Sequence, residues 1–211
     1  MTRVGVIGSG DVGKVLAKGF KKHGYEVEIG SREGTKLTEW SAAEGIAEGT
    51  FASVAARAEI VVLVVGGGAA VDVVTALGAS LAGKVVIDAT NPIGGPPVNG
   101  ILTFFTGPND SLMERLQKAV PAARFVKAFS CVGNAFMVNP RVPGGRPTLF
   151  IGGNDADAKK TVVTILDQFG WDSEDIGGVE AARAIEPLCQ LWCAPGFQRN
   201  QWTHAFKLLK L

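Results

Sequence analysis

Apolar residues in the first half of this chain fall in short unbroken runs, and between the runs they return at helical spacing. The runs at 3–7, 25–29, 60–65, 84–89 and 125–129 predict strands. Ile60-Val61-Val62-Leu63-Val64-Val65 shows no polar face at all, as expected of a strand buried on both sides of a parallel sheet. After the first run, Val12, Val15, Leu16, Gly19 and Phe20 share one helical face, and further helices are predicted over 51–58, 71–79 and 111–120. Strand alternating with helix in this way predicts an α/β chain built on a doubly wound parallel sheet.

The second half changes character. A strand is predicted at 148–152, then a helix over 155–169 with Asp155 near its start. A helix over 178–192 carries the stripe Ala181, Ile185, Leu188 and Trp192; Pro187 lies inside it and should kink it. A last helix is expected over 202–211. Asn91-Pro92 ends the fourth run abruptly, because the residue before proline avoids helical geometry, and the Gly/Pro-rich stretch 93–100 reads as loop. A boundary near Pro121 divides the chain into a first domain, 1–121, and a smaller, mostly helical one, 122–211.

The first strand runs into Gly8-Ser9-Gly10-Asp11-Val12-Gly13, a G-x-G-x-x-G turn standing between a strand and a helix. That setting gives the turn its meaning as a Rossmann-type dinucleotide site. Gly8 permits the tight turn, Gly10 lets the backbone approach a pyrophosphate, and Gly13 lets helix and strand pack closely. Free amides at the helix N-terminus then face the phosphates. Asp11 would be repelled by such a ligand, so it is expected to turn away and hold free backbone N–H groups.

The end of the second strand selects the cofactor. NAD sites place an acidic residue there for the ribose hydroxyls. This chain has Gly30-Ser31-Arg32, with Lys36 one helical turn later. A hydroxyl, a guanidinium fork and an ammonium suit a 2′-phosphate, so NADP(H) is expected rather than NADH.

In open α/β sheets ligands lie beyond the carboxyl ends of the strands. Val65, Gly66 and Gly67 are therefore expected to let the cofactor come close. The same rule nominates Asn91, Pro92 and Ser130, with Asn91 placed to hydrogen-bond the nicotinamide ribose or carboxamide. Cys131 reads as a small apolar residue packing a strand end. No catalytic residue is assigned. The only tyrosine, Tyr25, begins the second strand, and the two histidines, His23 and His204, fall on the first and last helices. Hydride transfer through positioning alone fits that distribution better than carbonyl reduction, which needs a placed general acid.

Composition narrows the partners. A formal net charge of +1 gives no electrostatic footprint for nucleic acid. The apolar stretch 60–71 is broken by glycines and too short to span a bilayer, so no membrane partner is expected. Three cysteines, of which Cys189 and Cys193 share a helical face, read as reduced thiols and not as a metal site. With no signal-peptide layout at the N-terminus, the expected location is cytoplasmic.

Gly8-Ser9-Gly10-Asp11-Val12-Gly13-Lys14 together with Gly30-Ser31-Arg32 resembles the NADPH-dependent deazaflavin (coenzyme F420) reductases. It is also similar to the cytoplasmic oxidoreductase domain of the six-transmembrane epithelial antigen metalloreductases. The likeness continues through Asp88-Ala89-Thr90-Asn91-Pro92, Val126-Lys127-Ala128-Phe129 and Ala181-Ala182-Arg183-Ala184-Ile185-Glu186-Pro187-Leu188 to Trp192. The resemblance implies hydride transfer between NADP(H) and a small-molecule redox acceptor, coenzyme F420 or FMN/FAD, in a homodimer or larger assembly. It assigns Ser31, Arg32 and Lys36 to the 2′-phosphate, Ser9 and the turn backbone to the pyrophosphate, and the helix around Leu188 to the acceptor side. The chain departs from the archaeal pattern at Ser130, where those members carry His, and at Gly66-Gly67-Gly68, where a bulkier segment is usual. Two other readings remain open: an imine or small-carbonyl reductase related to pyrroline-5-carboxylate reductase, and a non-catalytic NADPH-binding redox sensor.

Overall fold

In the computed structural model, which describes residues 1–210, the apolar runs become the centre of one six-stranded sheet. Its strands are β1 (Arg3–Ile7), β2 (Glu26–Ser31), β3 (Ala47–Thr50), β4 (Ile60–Leu63), β5 (Val85–Asp88) and β8 (Arg124–Lys127). The order is β3-β2-β1-β4-β5-β8, and every neighbouring pair is parallel. This is the doubly wound α/β arrangement, with its strand order reversing between β1 and β4.

Helices cover both faces, as the all-apolar runs require. On one side α1 (Asp11–Lys22) and α6 (Ala156–Gln168) bury Leu16, Phe20, Val162 and Ile165 against Val62, Ile87 and Val126. On the other, α3 (Phe51–Arg57), α4 (Gly67–Leu77) and α5 (Leu112–Ala119) bury Val54, Val74 and Leu116 against Val61, Leu63 and Val86. Successive residues of β4 therefore feed opposite cores. Ser111 caps α5 by accepting from Glu114 N at 3.2 Å, and Asp155 caps α6 by accepting from Ala158 N at 2.7 Å.

Several elements differ from expectation. The stretch 93–100, read as loop, contains one whole arm of a hairpin: β6 (Ile93–Val98) pairs antiparallel with β7 (Ile101–Phe104), with register shifts. Pro96 and Pro97 hid it, because proline has no N–H to donate and suits only a strand edge or bulge. Polar segments also form α2 (Thr38–Glu44), β3 and β10 (Asp172–Asp175), which pairs parallel with β9 (Thr148–Ile151). The helix expected over 178–192 is divided into a single helical turn at Val179–Ala181, α7 (Ala182–Ile185) and α8 (Pro187–Arg199). Pro187 starts α8, where its missing N–H costs nothing.

The helix expected over 202–211 is absent from residues 201–210, and Leu211 lies outside the described residues. The tail instead runs without regular structure along the edge of β9: Thr148 N donates to Phe206 O at 2.8 Å, and Leu208 N to Thr148 Oγ1 at 3.1 Å. The boundary expected near Pro121 falls just before β8, the sixth strand of the main sheet. No helix among the described residues is long and apolar enough to cross a membrane.

Candidate functional site

The strand order reverses between β1 and β4, and a crevice opens where the connections leave in opposite directions. Gly8 ends β1 with φ +138°, and a Cβ there would run into Val64. A Cβ on Gly13 would overlap the carbonyl oxygen of Gly8, so helix and turn meet at a distance only glycine allows. A Cβ on Gly10 would meet nothing. That position faces open space, as backbone must where a ligand approaches. Gly10 is the N-cap of α1 and makes no side-chain cap bond. Asp11 makes none either and is exposed, so the expectation that it holds free amides is not met.

A cleft of about 340 Å³ lies along this turn. It brings together Gly8, Ser9, Gly10, Arg32, Lys36, Val65 and Gly66 as expected, and adds Glu33, Phe51 and Val64. Arg32 and Lys36 are exposed, and neither has an ion-pair partner among the described residues. Ser31, Val12 and Gly67 do not line the cleft. Ser31 is fully buried: its hydroxyl accepts from Gly34 N at 2.9 Å and lies 3.4 Å from Glu48 Oε1. It therefore shapes the loop carrying Arg32 and Lys36, and its hydroxyl is already engaged within that loop. Glu48 closes the same loop by accepting from Leu37 N at 2.6 Å. A larger groove of about 740 Å³ runs beside Lys18 and Val138, away from the strand ends. The smaller cleft, at the glycine turn, is the one with the chemistry.

Farther along the strand ends, Asn91 is half-buried and Pro92 fully buried. Asn91 Nδ2 donates to Ser130 O at 3.0 Å. Asn91 Oδ1 and Ser130 Oγ are both buried without a partner. Such groups cost roughly 1–3 kcal/mol each when left unsatisfied, so this corner carries two polar atoms for which the described residues supply no partner. A Cβ on Gly67 would overlap Asn91 O; this glycine holds α4 against the Asn91 backbone. Phe129, just before Ser130, has φ +61°, which costs about 1–3 kcal/mol for a bulky residue.

Beneath this corner lies a cluster that the sequence reading did not assign. Lys127 and Asp88, at the ends of β8 and β5, are 0% exposed, and Glu186 is 1% exposed. Lys127 Nζ stands 2.7 Å from Asp88 Oδ2 and 2.9 Å from Glu186 Oε1, and donates to Thr90 O at 2.9 Å. Burial works against the ammonium, but the two carboxylates outweigh it and hold its pKa above the usual lysine range. Asp88 Oδ1 accepts from Thr90 N at 2.9 Å and from Thr90 Oγ1 at 2.6 Å. Glu186 accepts from Leu112 N and Met113 N, both at 3.0 Å, at the start of α5. The three residues are far apart in sequence; the only signal was charge inside otherwise apolar runs.

The remaining candidates are occupied structurally. Tyr25 donates to Gln168 at 2.7 Å, His23 packs on Phe169, and His204 stacks on Trp192 with ring centroids 4.9 Å apart. All three cysteines are free thiols. Burial pushes the Cys131 thiol up to about 12, and a hydrogen bond with Cys193, then burial, raises Cys189. Alkylation by iodoacetamide at pH 8 is therefore expected to spare Cys131 in the native protein and modify it in guanidinium, read by peptide mass. Modification of native Cys131 at the rate of a free thiol would contradict this placement.

A glycine turn at the switch point of a doubly wound sheet, with two cations at the next strand end that lack an ion-pair partner among the described residues, defines a Rossmann-type dinucleotide-binding protein. The model of a family described as NADP oxidoreductase, coenzyme F420-dependent, matches residues 3–92. Among solved structures, a candidate F420-dependent NADP reductase from Arthrobacter sp. FB24 is 32% identical with a TM-score of 0.92, and both chains are covered in full. The hypothetical protein SMa0349 of Sinorhizobium meliloti is 27% identical, TM-score 0.75, over 100% of this chain and 96% of that one. Metalloreductase STEAP3 of Rattus norvegicus is 28% identical over 187 residues, which are 88% of this chain and only 36% of that relative. The chain belongs to the coenzyme F420-dependent NADP oxidoreductase family and is an NADP-dependent oxidoreductase.

Proposed function

We propose that the chain transfers a hydride between NADP(H) and a deazaflavin of the coenzyme F420 type, or a flavin, held over the strand ends. The observation that carries the cofactor half is the pair Arg32 and Lys36, exposed in the cleft of the glycine turn and without an ion-pair partner among the described residues. The residues fit the group: Gly10 and Gly66 leave open space, and Asn91 Oδ1 and Ser130 Oγ await polar partners. Arg32 and Lys36 would hold the 2′-phosphate, Ser9 and the turn amides the pyrophosphate, and Phe51 with Val64 would wall the adenosine end. Asn91 and Ser130 would take the carboxamide of the nicotinamide. When bound, the nicotinamide ring supplies or accepts the hydride.

The acceptor half follows from the side chains around the strand ends. Tyr25, His23 and His204 are engaged elsewhere, which leaves orientation as the protein's main contribution. A ring that accepts hydride without a placed general acid suits such a site. The test is NADPH oxidation against coenzyme F420, FMN, FAD and a pyrroline-type imine. Turnover with F420 or a flavin, and little with the imine, is expected. Imine turnover alone would replace this reading with a reductase of that type, and tight NADPH binding with no turnover would replace it with a sensor.

A further inference from the structure

We propose that Lys127 is a positioning residue: with Asp88 and Glu186 it locks Thr90, and so sets Asn91 against the nicotinamide end of the cofactor. This rests on the cofactor assignment above. Three ionised groups are removed from water here, and a buried ion cluster is on average no more stabilising than apolar residues of similar volume. Its expense calls for a role beyond holding the fold.

The bonding pattern shows that role. Every polar atom of Thr90 is taken: N and Oγ1 by Asp88, O by Lys127. Lys127 donates to Thr90 O and is held by charge between Asp88 and Glu186; Asp88 Oδ2, 2.7 Å away, makes no hydrogen bond, so that contact is electrostatic. Glu186 extends the grip to the first amides of α5 and sits directly before Pro187, where α8 begins. The next residue after Thr90 is Asn91, held between Ser130 O and the close approach of Gly67, with Oδ1 buried and unpaired. The ends of β5 and β8 and the starts of α5 and α8 thus converge on one side chain that must present its oxygen at a fixed angle.

The test compares two ligands on the full chain by calorimetry: NADPH, and 2′,5′-ADP, which keeps the 2′-phosphate but lacks the nicotinamide. The wild-type protein is expected to bind NADPH more tightly. Lys127→Met should leave 2′,5′-ADP affinity within about twofold, reduce the NADPH advantage about tenfold, and slow hydride transfer to the wild type's best acceptor by roughly 100-fold. A folded Lys127→Met that keeps both the NADPH advantage and the rate overturns the proposal. If that variant does not fold, Thr90→Val decides: it keeps all three charges and removes only the hydroxyl held by Asp88. An unchanged NADPH advantage in Thr90→Val overturns the proposal, and a severalfold loss supports it. Wild-type protein that binds 2′,5′-ADP as tightly as NADPH overturns it while leaving the 2′-phosphate site standing; wild-type protein that binds neither overturns both.

Discussion

Arg32→Ala is expected to weaken NADPH binding by roughly 10- to 150-fold while leaving NADH binding nearly unchanged. The magnitude is that of a charge-assisted bidentate pair, about 1.5–3 kcal/mol. The asymmetry is the informative part, because only NADPH carries the 2′-phosphate. Arg32 is exposed at the mouth of the cleft, so its loss should not disturb the fold. Exposure also means that added salt should screen part of the wild-type preference and narrow the gap between the two cofactors. Fluorescence titration of both nucleotides at two ionic strengths reads all of this. Equal loss for NADPH and NADH would remove the 2′-phosphate from this position.

Two glycines of one turn are expected to fail in opposite ways. Gly13→Ala places a methyl group on the carbonyl oxygen of Gly8, a backbone atom that cannot rotate away. Alanine gains about 1 kcal/mol of helix propensity over glycine, but overpacking against fixed backbone costs typically 1–3 kcal/mol and more in tight sites. A net fall of up to roughly 2 kcal/mol is expected, lowering Tm by up to roughly 8 °C. Gly10→Ala meets no atom of the protein and has φ −80°, which alanine adopts freely. Its Tm should stay within about 2 °C, yet NADPH affinity should drop roughly 100-fold as the methyl group occupies the space left for the pyrophosphate. Thermal melts and titrations on the two variants separate the effects. A Gly10→Ala protein that binds NADPH normally would mean the phosphates lie elsewhere.

The main sheet and the helices on it were legible because strands buried on both faces carry a strong local signal. Ile60 to Val65 could hardly be anything but a central strand. Segments with only one apolar side, or none, were not. Asp172–Asp175 is four polar residues, and its pairing with β9 depends on a partner distant in sequence. Helical spacing around Trp202 and Phe206 was real, but Thr148 offers that stretch an edge to lie on, and tertiary contact overrode local preference. At the candidate site, the meeting of the glycine turn and Arg32 in one cleft was readable from spacing. Ser31 was not, because its hydroxyl bends back to Gly34. Nor was the role of Lys127, whose three partners come from residues 88, 90 and 186.

The way these charges neutralise one another also bears on how the family can diverge. One ammonium facing two carboxylates, with α5 amides taking part of the excess negative charge, leaves little room for any of the three to change alone. Removing one partner of a buried ion pair costs about 3–5 kcal/mol, whereas exchanging the set together for apolar residues is often neutral. Positions 88, 127 and 186 should therefore drift as a unit: homologues that have lost the lysine should have lost an acid as well, and lineages keeping the ammonium should keep both carboxylates.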